Sequence, residues 1–255
     1  MVQRNEPELR PLAYADLPRA VDMFMKANED NPSRHYIDDT PDACAKASKF
    51  ANWIGLFIGS ARAAIKHEAW TIGGGDSVVC YSSPSDTLSR RRKRLYTILD
   101  WLVDASDKSL SRIFRSSRQR ARRAEFSAKI TAAASGGIGN RVDQLISIDY
   151  LATAADKQGR GYASRLVNQV TAMADAQSRG TWLFTGQYNV GFYERLGFVN
   201  VREFALGDDP TWTKGPVVLC VMLREPQSLD SNLLDRGLRD HNLYDNPTTA
   251  DVLSL

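Results

Sequence analysis

Cysteine and histidine are scarce in this 255-residue chain, three of each, and net charge is close to absent. Cys44, Cys80 and Cys220 stand in unrelated contexts without metal-ligand spacing. A disulfide framework is therefore not expected, and reduced thiols in a cytoplasmic setting are. His35, His67 and His241 form no pair at metal-site spacing, so no metal is assigned. A formal charge of +3 offers no overall field for nucleic acid. Long apolar runs are missing too. Trp53-Ile54-Gly55-Leu56-Phe57-Ile58 is far too short to span a bilayer, and the polar first ten residues carry no signal-peptide pattern. No nucleic-acid or membrane partner is expected. Internal repeats are absent, as is a Gly-x-Ser-x-Gly elbow, which argues against a covalent acyl-enzyme on serine.

What is present suffices for one substantial core, with 43% hydrophobic and 25% charged residues. A single domain over residues 1–225, followed by a polar tail over 226–255, is the expected division. Residues 8–11 read as a first strand. Asp16 is placed as the N-cap of a helix marked by Leu17, Ala20, Val21, Phe24 and Met25. A polar loop over 28–39 precedes a second helical region over 41–65. Gly73-Gly74-Gly75-Asp76 joins two strand-like runs as a hairpin. Residues 85–140 then hold two helices. In the first, Leu95, Leu99, Leu102, Val103, Leu110, Ile113 and Phe114 share a face; the second, basic one covers 118–134 and ends at Gly136-Gly137-Ile138-Gly139. Two further strands fall at 199–204 and 217–223. In the tail, Leu229, Leu233, Leu234 and Leu238 allow a turn or two of helix, and the last ten residues look loose.

The most telling segment is Gln158-Gly159-Arg160-Gly161-Tyr162-Ala163. Before it, Gln144 to Leu151 reads as strand; after it, Leu166, Val167, Val170 and Met173 recur at helical spacing. Two glycines at a helix start aim unpaired N–H groups and the positive end of the helix dipole at one point, a fit for pyrophosphate. A Gly-x-Gly turn can equally be a mere connection that needs positive φ. A dinucleotide-binding Rossmann site is disfavoured, because the third glycine and the acidic residue closing a following strand are both missing.

A second motif follows at Asn189-Val190-Gly191-Phe192-Tyr193-Glu194-Arg195-Leu196-Gly197-Phe198, after the strand-like Thr181-Trp182-Leu183-Phe184-Thr185. Together with Gln158-x-x-Gly161-x-Ala163, this order resembles the GNAT superfamily of acyl-CoA-dependent N-acetyltransferases, and Leu151-Ala152-Thr153 looks like its fungal-type members. The resemblance covers residues 144–204. One departure is that Ala154 and Ala155 stand where the family often has proline, which would loosen a turn without abolishing a site. The resemblance implies an α/β fold: a mixed, partly antiparallel sheet of about six or seven strands with helices on both faces, here carrying an inserted helical pair. It implies that two parallel strands, ending at Thr153 and Thr185, splay apart to admit pantetheine.

The same resemblance implies acetyl-CoA as co-substrate, with its pyrophosphate on the segment from Gln158 to Ala163. Arg160 either touches a phosphate or is solvated. Leu151, Ala152 and Thr153 would pair through their backbone with the pantetheine and meet the developing oxyanion. Asn189 would cap the helix that follows and touch the pantetheine. Tyr193 is the candidate general acid; its plain alternative is packing between Phe192 and Leu196. Asp149, two and four residues before Leu151 and Thr153 and so on their face of the strand, is the candidate base. It is otherwise an ordinary capped aspartate. Asp208 and Asp209 either attract a cationic acceptor or are simply solvated.

Residues 85–125 hold twelve basic against five acidic residues, densest at Arg90-Arg91-Arg92-Lys93-Arg94. Three readings stand: a solvated face, a lid whose positive field assists anionic coenzyme A or an acidic acceptor, or a nucleic-acid or membrane patch. Entering just before the strand at 144–151, the insert is also expected to shape the acceptor pocket. Function narrows to acetylation of a small-molecule primary amine by direct attack on the thioester, with a protein or peptide acceptor, or a non-catalytic acyl-CoA-binding module, as alternatives. A monomer or a homodimer fits equally.

Overall fold

The computed structural model describes residues 7–227. Most of the expected polar tail, including the leucines from Leu229 on, lies outside the described residues. Seven strands form one sheet in the order β1 (Leu9–Pro11), β2 (Ala69–Ile72), β3 (Ser77–Ser82), β4 (Ile146–Thr153), β5 (Thr181–Gly186), β7 (Val217–Arg224), β6 (Val199–Leu206). Every neighbouring pair is antiparallel except β4–β5.

Alternation along the strands divides the core between two faces. Val79, Tyr81, Ile146, Ile148, Leu183 and Met222 turn to one face, covered by Leu166, Val167, Val170 and Ala174 of α6 (Tyr162–Ala176). Full burial of each such aliphatic side chain is worth about 1.5–3 kcal/mol. On the opposite face, Val78, Cys80 and Ala152 lie under α1 (Leu17–Ala27) and α3 (Ala45–Lys66). Farther across that face, Trp182, Val221 and Leu223 pack with Ala133 and Ile138 of α5 (Ser117–Ile138).

The feature that positions the site is the β4–β5 pair. These strands are in register at Ile146↔Thr181 and Ser147↔Trp182 and nowhere beyond. β4 runs on with β3 to Thr153, and β5 runs on with β7 to Gly186. The strands therefore splay towards the ends that the family resemblance named. Where the gap opens, β4 carries a bulge: Tyr81 pairs with Ile148 and Cys80 with Tyr150, leaving Asp149 as the extra residue.

Several sequence expectations need correction. The polar loop over 28–39 contains a short helix, α2 (Pro32–Asp38), because Asn31 accepts from the Ser33 N–H (2.9 Å) and Pro32 pre-sets the first turn. Asp16 does occupy the N-cap position of α1, yet its carboxylate is engaged by Arg10 and by the Ala13 N–H, not by α1. The lengths of α4 (Arg90–Phe114) and α5 exceed expectation. Helix α5 passes straight through Gly136-Gly137, since the lack of a Cβ lets it close on β6: a Cβ at Gly137 would stand 3.0 Å from both Val201 Cγ2 and Arg202 Cβ.

Helix α4 departs furthest. Its apolar residues wrap more than one face, and none is buried. Leu99, Val103, Leu110 and Phe114 are half-covered on the side of α3, where Phe114 meets Phe50. Leu95, Leu102, Ile113 and Trp101 stay outside, Trp101 being 66% exposed.

The two glycines of α5 make opposite predictions. Gly136 has room for a methyl group, its nearest atoms lying at 3.8 Å, so Gly136→Ala should raise stability by up to about 1 kcal/mol through helix propensity. Gly137→Ala should instead lower it by about 1–2 kcal/mol, because overpacking outweighs that gain. Urea denaturation of both variants checks the contrast; equal effects would remove the close-approach explanation.

Candidate active site

At the splayed end of the sheet, β4 leads through a short turn into α6. Gly159 and Gly161 adopt φ of +73° and +77°, and a Cβ on either would project into open space. Gly161 is the N-cap of α6 and has no side chain to satisfy the first-turn N–H groups. Those donors therefore point outward with the helix dipole behind them. The Tyr162 side chain is a buried core residue, so only its backbone faces the turn. Gln158 braces the turn by donating from Nε2 to the Thr153 carbonyl (3.2 Å), and Arg160 Nη2 donates to the Asp156 carbonyl (3.2 Å).

The three β4 residues named from sequence do not act alike. The Ala154 N–H pairs with Asp76, on the β3 side. By alternation, Ala152 also faces β3, and its carbonyl accepts from Ser77 Oγ (3.2 Å). Leu151 and Thr153 then turn their main chain towards the gap, whereas Ala152 does not.

A cavity of about 680 Å³ opens over this gap, lined by Asp149, Leu151, Thr185, Asn189 and Tyr193 among others. Tyr193, on α7 (Val190–Glu194), is 7% exposed and belongs to the α6-side core, its ring edge-on to Phe192 and Phe198. The hydroxyl has no hydrogen-bond partner among the described residues. Burial, with Tyr188 close by, pushes its pKa well above the ordinary tyrosine value, so it stays protonated at any working pH.

Asp149 approaches from the other side of the sheet. Its carboxylate accepts from Ser82 Oγ (2.5 Å) and Ser147 Oγ (2.7 Å), with Arg62 of α3 at 3.6 Å. It was expected on the face of Leu151 and Thr153, but Leu151 packs on the α6-side core. The bulge is the reason: one extra residue reverses the alternation. Asn189 also differs from expectation. It holds the N-cap position of α7 without a side-chain capping bond, and its exposed amide lines the cavity.

The remaining walls come from α1, α2, α3 and α5, including Phe24, Ile37, Leu56, Phe126 and Ile130. α5 is fixed there by Arg122, 1% exposed, whose Nε donates to Asp209 (2.8 Å) and Nη2 to Thr211 (3.0 Å) in the β6–β7 loop. Its Nη1 donates to the Asp39 carbonyl (3.1 Å) behind α2, and its guanidinium stacks 4.8 Å from the Tyr36 ring centre. Lys129 Nζ holds Asp208 at 2.7 Å. Asp209 is thus committed to α5, Asp208 pairs with Lys129 at the exposed surface, and neither lines the cavity. Sequence reasoning missed Tyr188, Arg115 and Asp38, all on the cavity wall. No local pattern distinguished them, Arg115 being one of twelve basic residues in its stretch.

Residues 123–200 match the model of the acetyltransferase (GNAT) domain family. That stretch is therefore similar to an acetyltransferase (GNAT) domain, and the seven-stranded mixed sheet matches the GNAT fold. One structural neighbour is described as histone acetyltransferase HPA2 and related acetyltransferase, from Corynebacterium glutamicum. It is 18% identical with a TM-score of 0.52, the match covering 87% of this chain and 97% of that one. Another is arylalkylamine N-acetyltransferase 2 from Aedes aegypti, 13% identical with a TM-score of 0.53, covering 88% and 100%. A bacterium and a mosquito lend the fungal-type likeness no support. No curated protein sequence matches significantly. Among the described residues, no helix is long and apolar enough to cross a membrane, and no cluster of three or more His, Cys, Asp or Glu is placed to hold a metal.

The clamp on α5 yields a pH prediction. The Thr211 N–H, first, and then Arg122 pull the Asp209 pKa from its ordinary 3.8 to about 2. A carboxylate depressed on folding stabilises the fold above its unfolded pKa and loses that contribution as pH falls through the folded one. The urea midpoint should therefore fall between about pH 4 and pH 2, and Asp209→Asn should flatten that limb. An unchanged slope in the variant would show that other carboxylates carry the acid limb.

Proposed function

We propose that this protein moves the acetyl group of acetyl-CoA to a primary amine of a small molecule by direct attack on the thioester. The observation that carries this reading is the β4–β5 gap, onto which Tyr193 and Asp149 converge from opposite faces beside the glycine-started helix. The pyrophosphate rests on main-chain N–H groups of residues 159–163, where a side chain would obstruct it. The pantetheine amides pair with the main chain of Leu151 and Thr153, replacing the strand that β5 ceases to be. Asn189 reaches the same arm.

The acceptor occupies the cavity walled by α1, α2, α3 and α5. The neutral amine attacks the thioester carbon, and the oxyanion that forms meets backbone N–H groups at the bulged end of β4. Collapse breaks the C–S bond; the sulfur leaves as thiolate and takes the Tyr193 proton. The amine gives a proton to Asp149, whose contacts with Ser82, Ser147 and Arg62 orient it. Acid and base therefore stand on the sides where thiol and amine arrive. The helical walls support a small acceptor over a peptide, which needs an open groove. The position, beside the active strands, of the α4–α5 pair inserted between β3 and β4 supports its role in shaping the pocket.

Two variants test this. Tyr193→Phe keeps the packing and removes the proton, so kcat should fall by about 10–10³-fold with the donor dissociation constant kept. Turnover equal to the parent would pass the acid role to water. Gly161→Ala forces a left-handed alanine, at about 1–2 kcal/mol, and puts a methyl group where phosphate sits. Calorimetry should show coenzyme A affinity reduced at least about tenfold. Retained affinity would move the nucleotide elsewhere.

A further inference from the structure

Arg115, in the link between α4 and α5, lines the acceptor cavity but is only 6% exposed. Its Nη2 donates to Asn52 Oδ1 (2.7 Å), while Nε and Nη1 have no hydrogen-bond partner. The closest carboxylate oxygen, Asp38 Oδ1, stands 3.5 Å from Nη1 and is itself buried without a hydrogen bond. Asp38 spends its other oxygen on Asn52 Nδ2 (2.6 Å) and, loosely, on Arg34 Nε (3.5 Å). Arg123, also on the wall, pairs with Asp107 (3.1 Å).

Buried N–H groups on a charged side chain are costly to leave unpaired, and here they sit at a cavity wall. Around them the cavity lining carries three guanidiniums, Arg34, Arg115 and Arg123, and three carboxylates, Asp38, Asp107 and Asp149. Asp107 is taken by Arg123, and Asp149 lies beside Ser82, Ser147 and Arg62. At the Arg115 end only Asp38 stands opposite the unpaired N–H groups, and it leaves them without a hydrogen bond. Burial first, and then the nearness of Arg123, hold the Arg115 pKa below its ordinary value. A guanidinium so placed gains from a neighbouring anion.

We propose that the acceptor is an amine that also bears a carboxylate, and that Arg115, with Arg123 beside it, receives that carboxylate while the amine lies at Asp149 and Tyr193. This rests on the acetyl-transfer reading and adds the substrate class to it. Arg115 acts as a specificity determinant: it touches the remote end of the acceptor and not the reacting atoms.

The test uses matched acceptors: ω-aminoalkanoates of two to six methylenes against n-alkylamines of equal length, and α-amino acids against their decarboxylated amines. Thiol release from acetyl-CoA is followed. The carboxylate-bearing member of the best pair should be favoured about 10–100-fold in kcat/KM. In Arg115→Gln the preference should vanish, chiefly through KM, with the neutral partner's kcat/KM kept within a few-fold. If that variant fails to fold, Arg123→Gln takes its place and should cut the preference severalfold. Equal rates across every pair, or equal loss for charged and neutral partners in the variant, would overturn the proposal. If no amine is acetylated at all, the acetyl-transfer reading falls first. Calorimetry then decides the carboxylate site: the same aminoalkanoates, titrated in the presence of coenzyme A, should bind the parent and not the variant, and absence of binding to the parent would overturn it.

Discussion

Two strands that run side by side for two residues and then part are the constraint on which the site depends. β4 and β5 can separate because each is held along its other edge by an antiparallel neighbour, β3 and β7. The separation leaves the main chain of Leu151 and the N–H of Thr153 without a strand partner, the Thr153 carbonyl being taken by Gln158. Inside a fold, unpaired backbone groups cost about 1–3 kcal/mol each, so such an edge persists where a ligand or water completes it. An extended chain of amides is the complement of a strand edge. On the proposed reading, the gap is the part of the sheet that the pantetheine finishes. The bulge at Asp149 sits where the divergence begins and turns that carboxylate to the face opposite Tyr193.

The helical pair between β3 and β4 contributes in two unequal ways. α5 is locked into the sheet by close glycine contact with β6 and by the buried Arg122, which joins it to α2 and the β6–β7 loop. A buried ion pair of this kind is weak evidence for added stability, because desolvation consumes most of the attraction. Its stronger effect here is geometric: Arg122 makes four directed hydrogen bonds that join α5 to α2, to Asp39 and to the β6–β7 loop. α4 is held from its polar side instead: Asp100 accepts from Lys66 Nζ (2.7 Å) and Arg62 Nη1 (3.2 Å) of α3, and Asp107 from Arg123 of α5 (3.1 Å). It lies on α3 and leaves Trp101, Leu95 and Leu102 outside, and none of the dense Arg90-Arg91-Arg92-Lys93-Arg94 run lines the cavity. The basic residues that line the cavity are Arg34 of α2, Arg115 of the α4–α5 link and Arg123 of α5.

How much of this was legible depended on whether the determining interaction was local. The turn at Gly159 and Gly161 could be read because positive φ before a helix is a property of adjacent residues. The splay at Thr153 could be named because the motifs on either side fix which strands flank it. The face of Asp149 could not be read, since period-two alternation has no mark for an inserted residue. Helix α5 ended at Gly139 as a helix-ending rule expects, but ran past Gly136 and Gly137 for a tertiary reason, the proximity of Val201 and Arg202 to Gly137, that no such rule contains. Arg115 and Arg118 look alike in sequence, yet one is buried at the cavity and the other pairs with Asp209 at the surface. Only the packed structure separates them.

In the mechanism we propose, with Tyr193 as acid and Asp149 as base, their placement on opposite sides of the gap has a consequence for protons. An alkyl ammonium must lose one proton before attack and another after it, while the departing sulfur regains one. Each turnover therefore exports a single proton, and Tyr193 must be recharged before the next. With Tyr193 enclosed by Phe192, Phe198 and the α6-side core, and Asp149 bound to Ser82, Ser147 and Arg62, neither can pass a proton directly to the other. The substrates themselves must bridge them. Such an arrangement keeps the phenol protonated while the cleft is empty, which its raised pKa already favours, and it confines proton release to the face from which the amine enters.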